Sequence, residues 1–135
     1  MAWIDRCLFR GPEVAVVTSA SAYRSVMRKL QVNEPDPWCE PSWFACVHAL
    51  KVGGALVCVV ALNLPRLAGE PPIDVAAHLV HEAVHVWQYA RACLGPGDLG
   101  REMEAYAVQN IAAELMRAYV RATSCAGTPA PPAVS

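Results

Sequence analysis

Two glycines in succession, Gly53-Gly54, separate two apolar stretches of similar length, and a chain built this way turns back on itself there. Glycine supplies the positive φ values of a two-residue hairpin turn without steric cost. A two-residue turn sets the pairing, with Cys46 opposite Ala61 and Cys58 opposite Ala49. Phe44, Cys46, His48 and Leu50 then share a face with Val57, Val59 and Ala61. Cys46 and Cys58 do not face each other across this ladder, which argues against a bridge between them.

The rest of the chain arranges itself around that hairpin. Glu13 to Thr18 is a β-branched run that suits a strand. Ser19 or Ser21 is placed to cap a helix through about Val32, with Tyr23, Val26, Met27 and Leu30 at helical spacing. Asn33 to Trp43 holds Pro35, Pro37 and Pro41 and is expected as a loop; Leu64 to Pro72 is a second. Asp74 is the expected N-cap of a helix running to about Leu94, where Gly95-Pro96-Gly97 stops it. Asp98 is the expected cap of a last helix, through about Arg121. The order strand, helix, hairpin, two helices predicts a small α+β domain over residues 1–121. Residues 122–135 carry three prolines among small residues and are expected to be a disordered tail.

Composition narrows the function classes. The chain has 135 residues, enough for one domain with its own core. Its hydrophobic fraction of 55% is high, yet the longest nearly uncharged run, Val52 to Leu64, is shorter than the roughly 20 residues of a membrane-spanning helix. Asp5 and Arg6 stand where a signal peptide needs an apolar run, so a cytoplasmic location without a membrane span is expected. The six cysteines are irregularly spaced with no Cys-x-x-Cys pair, and read as small buried hydrophobes in a reducing compartment. The formal charge is −1 and no basic stripe is present, which disfavours nucleic acid as a partner. The apolar excess leaves an oligomer open.

The chemistry concentrates in His81-Glu82-Ala83-Val84-His85. Positions four apart on a helix lie on one face, so both imidazoles can address a single Zn²⁺ at about 2.0–2.1 Å. Glu82, next to the first histidine, can reach a water on that ion without being a ligand. Such a water has its pKa lowered to about 7, so Glu82 can take its proton and pass it to a leaving amine. The surrounding Ala76, Ala77, Val80, Ala83, Val84 and Val86 suit a packed helix, where an uncompensated Glu and two His would be costly. A catalytic site needs a third ligand. His85 is the last histidine, and His78 sits a turn away as a neighbour, so the following helix must supply a carboxylate from Glu102, Glu104 or Glu114.

With Arg101-Glu102-Met103-Glu104-Ala105-Tyr106 following His-Glu-x-x-His, the region from about 74 to 116 resembles the gluzincin metallopeptidases. The small single-domain members are closest: the minigluzincins and short phage and bacterial metallopeptidases. Trp87 and Gln88 after the second histidine fit that likeness. The resemblance implies a zincin-like domain, with the hairpin-containing sheet packed on the active-site helix and a glutamate helix after it. It implies Glu102, three before Ala105, as third ligand beside His81 and His85, with Glu104 as the alternative. It also implies a peptide or protein substrate lying along a sheet edge drawn from Phe44 to Asn63. Where many gluzincins carry an aspartate four residues after the ligand, to orient the first histidine, this chain has Tyr106. Tyr106, Tyr89, His48 and His78 are the candidates for stabilising the oxyanion. The function expected is hydrolysis of peptide bonds with Glu82 as general base. The alternative is a non-catalytic zinc-binding interaction module, of phage or host-interaction type, that keeps the site for folding.

Overall fold

The computed structural model describes residues 2–3, 12–94, 97 and 99–126, with the side chains of 2, 3, 125 and 126 left aside. Asp98, the side chains of Cys7 and Cys125, and the tail from 127 lie outside the described residues. The elements are β1 (Ala2–Trp3), β2 (Glu13–Val17), α1 (Ala20–Lys29), β3 (Ala45–Val52), β4 (Ala55–Leu62), α2 (Leu64–Leu67), α3 (Pro72–Cys93) and α4 (Arg101–Ala126). The expected α+β order is present, with two additions: the two-residue β1, and the short α2 in a segment expected to be loop.

The strands form one mixed sheet in the order β1-β2-β4-β3, so β3 is an edge. β2 runs parallel to β4, and β3 antiparallel to it. The hairpin register is the expected one, pairing Cys46 with Ala61 and Ala49 with Cys58. Its turn places Gly53 at φ 57° and Gly54 at φ 82°, the left-handed pair a type I′ turn requires. β2 and β4 are continuous apolar runs because both faces of the sheet are covered. On one face Val57, Val59 and Ala61 pack with Tyr23, Val26 and Met27 of α1, and with Cys39. On the other, Cys58, Val60 and Leu62 pack with Leu79, Val86 and Trp87 of α3 and Ile111 and Leu115 of α4.

Phe44 departs from the expected face. It precedes β3, packs with the α3–α4 cluster and stacks on His78 at 4.1 Å between ring centres. One residue outside the ladder, alternation no longer governs its direction. Arg66 of α2 lies over the same ring at 4.5 Å. Ser19 caps α1 by accepting from the Ala22 amide at 3.0 Å, which selects between the two expected serines.

α3 begins before Asp74. Pro72 opens it, with Pro71 in the cap position, and Asp74 lies inside the first turn. Proline suits that place because its missing N–H would have no intrahelical acceptor, while Asp74 meets the positive end of the helix dipole. α4 extends to Ala126, past the expected end at Arg121, so residues 122–126 of the expected tail are helical. Thr123 Oγ1 donates to the Tyr119 carbonyl at 2.9 Å within that extension.

Trp87 meets Glu104, and Val75 and Leu79 share a cavity with Met116 and Tyr119, so α3 and α4 run antiparallel. No helix among the described residues is long and apolar enough to cross a membrane. Leu79, 1% exposed, joins α3 to both the sheet and α4. Leu79→Ala is expected to lower unfolding free energy by about 2–5 kcal/mol, the range for a truncated core leucine. Urea denaturation measures it, and a loss below about 1 kcal/mol would contradict this packing.

Candidate functional site

The middle of α3 faces two environments. Leu79, Ala83, Val86, Trp87 and Ala90 turn into the core, while His81 and His85 lie on the flank beside edge strand β3. Glu82 sits between, 6% exposed. Helical spacing explains the arrangement: position 82 shares its stripe with Leu79 and Val86, and positions 81 and 85 stand one turn apart on the neighbouring stripe. A cavity of about 320 Å³ is lined by these three residues with Trp43, Ala45, Cys46, Val47 and Tyr89.

The imidazoles converge. His85 Nε2 lies 3.0 Å from His81 Nε2, with the rings edge to face. Two nitrogens on one tetrahedral zinc at about 2.0–2.1 Å stand about 3.3–3.4 Å apart, so this pair needs only a small adjustment to share an ion. His85 Nδ1 is 3.0 Å from Gln88 Oε1. A proton on Nδ1 would be donated to this oxygen, and the Nε2 lone pair would then be turned toward His81. The sequence signal for this contact is the spacing of three between His85 and Gln88 on one helix.

Glu82 Oε2 is buried with no hydrogen-bond partner among the described residues. Burial pushes the Glu82 carboxyl above its ordinary value, against the pull of His81, His85 and His78. An orphaned carboxylate oxygen beside two converging imidazoles is a polar arrangement that a cation would compensate. The two imidazole nitrogens have the donor type and spacing of two of the four positions around a zinc ion.

The carboxylates of α4 are elsewhere. Glu102 is exposed, and Glu104 accepts from the Trp87 indole at 3.0 Å. Glu114 pairs with Arg117. Among the described residues, no three His, Cys, Asp or Glu side chains come together as a metal-holding group. The antiparallel register explains the separation. With Trp87 level with Glu104, Tyr106 is level with His85 and Asn110 with His81. Glu102 is then about 6–12 Å from the histidines along the helix axes. Glu102 and Glu104 occupy the first turn of α4, where carboxylates also stabilise the helix end.

The remaining candidates separate clearly. Tyr106 is 53% exposed and outside the cavity. His78 stacks on Phe44. His48 meets the Tyr23 ring at a tilt, 4.8 Å between ring centres, and its Nε2 lies 2.8 Å from the Trp38 carbonyl. Tyr89 alone among the oxyanion candidates lines the cavity. Helical side chains lean toward the N-terminus, which carries Tyr89 back over the turn of His85. Trp43 and Cys46 also line this cavity, although their sequence context marked them only as loop and strand residues. Comparison with protein-family models, with curated proteins and with solved structures gives no match.

The raised Glu82 value has a consequence for stability. In the folded chain Glu82 keeps its proton at pH values where the unfolded chain, near 4.5, has released it. Stability from this group is therefore fully present below 4.5 and is lost as pH rises through the higher folded-state value. In metal-free protein, Glu82→Gln is expected to be more stable than wild type at neutral pH. The difference closes as pH falls through the ordinary glutamate range. Urea denaturation across that range tests it, and a less stable variant at neutral pH would contradict it.

Proposed function

We propose that the chain is a zinc-dependent metallopeptidase, with His81 and His85 as ligands and Glu82 as general base. The observation that carries this reading is the convergence of the two Nε2 atoms at 3.0 Å beside the buried, unpartnered Glu82 Oε2. A structural zinc site closes all four positions with protein ligands and has no use for a base. A buried carboxyl with a raised pKa, adjoining an open cavity, is suited to taking and returning a proton.

Zinc, when bound, supplies Lewis acidity that brings the pKa of a coordinated water to about 7. The chain's own residues would do the rest. Gln88 holds His85 in the tautomer whose Nε2 binds. Glu82 takes the proton from the attacking water and returns it to the leaving nitrogen. Tyr89, which lines the cavity, would donate to the carbonyl oxygen as charge develops there. The unpaired outer edge of β3, beside Ala45, Cys46 and Val47, suits an extended peptide. In this reading Glu102 completes the ligand set and Glu104 is the alternative. Either requires α4 to present its first turn to the histidines, and Glu104 would also have to leave Trp87.

Elemental analysis and peptide cleavage test the proposal together. His81→Ala and His85→Ala are expected to lose zinc, while Glu82→Gln keeps it and cleaves about 10²–10⁴-fold more slowly. Glu102→Ala and Glu104→Ala, compared by zinc affinity, assign the third ligand. Zinc-loaded wild type that cleaves nothing in a broad peptide library would sink the enzymatic reading. Wild type that holds no zinc would sink the metal site itself.

A further inference from the structure

The cavity that holds His81, Glu82 and His85 has a neighbour along β3. A second cavity, of about 350 Å³, is lined by residues 47–50 of the strand. Val47 and Tyr89 line both, so the two share a wall. Cys46 lines only the first and His48 only the second, which sets the cavities in succession along β3. A chain extended beside the strand advances about 3.3 Å per residue, so the second cavity lies roughly two or three residues from the first.

The chemistry of the two differs. The rings of Tyr23, His48 and Tyr89 line the second cavity, and Glu34 and Asp36 bring exposed carboxylates to it from the loop after α1. Among the described residues no Lys or Arg lines it. Lys51, further along β3, donates instead to Cys93 Sγ at 3.4 Å. Contacts on both sides hold the loop in place. The Tyr23 hydroxyl donates to the Asp36 carbonyl at 2.7 Å. The Trp38 carbonyl accepts from Cys46 Sγ at 3.2 Å and lies 2.8 Å from His48 Nε2. Burial, with the Asp36 charge second, pushes the Tyr23 hydroxyl up to about 12, so it stays a donor at neutral pH.

We propose that this second cavity is a subsite for a cationic side chain, Arg or Lys, of a peptide lying along the outer edge of β3, with Glu34 and Asp36 as the residues that select it. The inference rests on the reading of the adjoining cavity as a peptidase site. Aromatic rings attract a cation through their negative faces, and carboxylates add charge and acceptors for a guanidinium or ammonium. The opposite end of the strand has the reverse character. Phe44, just before β3, carries the Arg66 guanidinium over its ring at 4.5 Å. A peptide cation is disfavoured at that end and drawn to the Leu50 end, which helps to set the register of the bound chain over the histidines.

The test measures binding and cleavage separately, with the full zinc-loaded chain and decapeptides blocked at both ends, so that only side chains carry charge. The peptides differ at one varied position, which holds Arg, norleucine or Glu. Glu82→Gln protein, which leaves the peptides whole, gives affinities by fluorescence anisotropy. At the preferred position Arg is expected to bind about fivefold to tenfold tighter than norleucine, with Glu weakest, and added salt is expected to shrink the advantage. Changing Glu34→Gln and Asp36→Asn together removes the preference. Glu40→Gln, an exposed carboxylate of the same loop outside the cavity, keeps it. Equal affinities for Arg and norleucine at every position, no measurable binding, or an Arg preference that survives the double change would each overturn the proposal. An Arg preference that vanishes with the double change, in a protein whose wild type cleaves none of the peptides, would uphold the subsite and sink the peptidase reading.

Discussion

The packing of α3 against the sheet is the contact on which the rest of this molecule depends. Leu79, Ala83, Val86, Trp87 and Ala90 seat the helix over Cys58, Val60 and Leu62. α4 closes the same core from the side. Once that face is in place, the rotation of α3 is no longer free. His81 and His85 must emerge beside β3, and Glu82 must sit at the boundary where it is nearly out of reach of water. Burial of a carboxyl costs free energy, and the core residues on either side of it supply the offset.

The cost is local and chemically useful. A carboxylate in solvent has a low pKa and many partners. Glu82 has a raised pKa, an oxygen without a partner and two imidazoles beside it. Sites with those properties are where proton transfer and metal binding are commonly found, and the proposed function rests on that physical likeness. Gln88 adds a partner for His85 Nδ1 at 3.0 Å, using only the turn of helix that follows. The sheet edge adds access, because among the described residues no strand pairs with the outer side of β3.

Much of this was legible in the linear chain. The hairpin register followed from Gly53-Gly54, since only a tight turn with two left-handed residues fits between strands of that length. The shared face of His81 and His85 followed from helical spacing. Helix ends were less legible: Asp74 looks like a cap in the sequence, but two prolines before it are equally good openers and extend the helix. Phe44 was misplaced because alternation holds only while the ladder does.

The sequence by itself determined the local periodicities: which residues pair across the hairpin, and which residues of α3 stand above one another. These depend on bond geometry within a few residues, which any chain obeys. Only the tertiary structure decided which strand is the edge, how α4 is registered on α3, and which distant groups meet. Glu104 is held by Trp87, Glu102 is kept apart from the histidines, and the proline-rich loop is tied to β3 where Cys46 Sγ meets the Trp38 carbonyl. Such pairings are set by how whole faces pack, and packing is a property of volumes and contacts that no local pattern encodes.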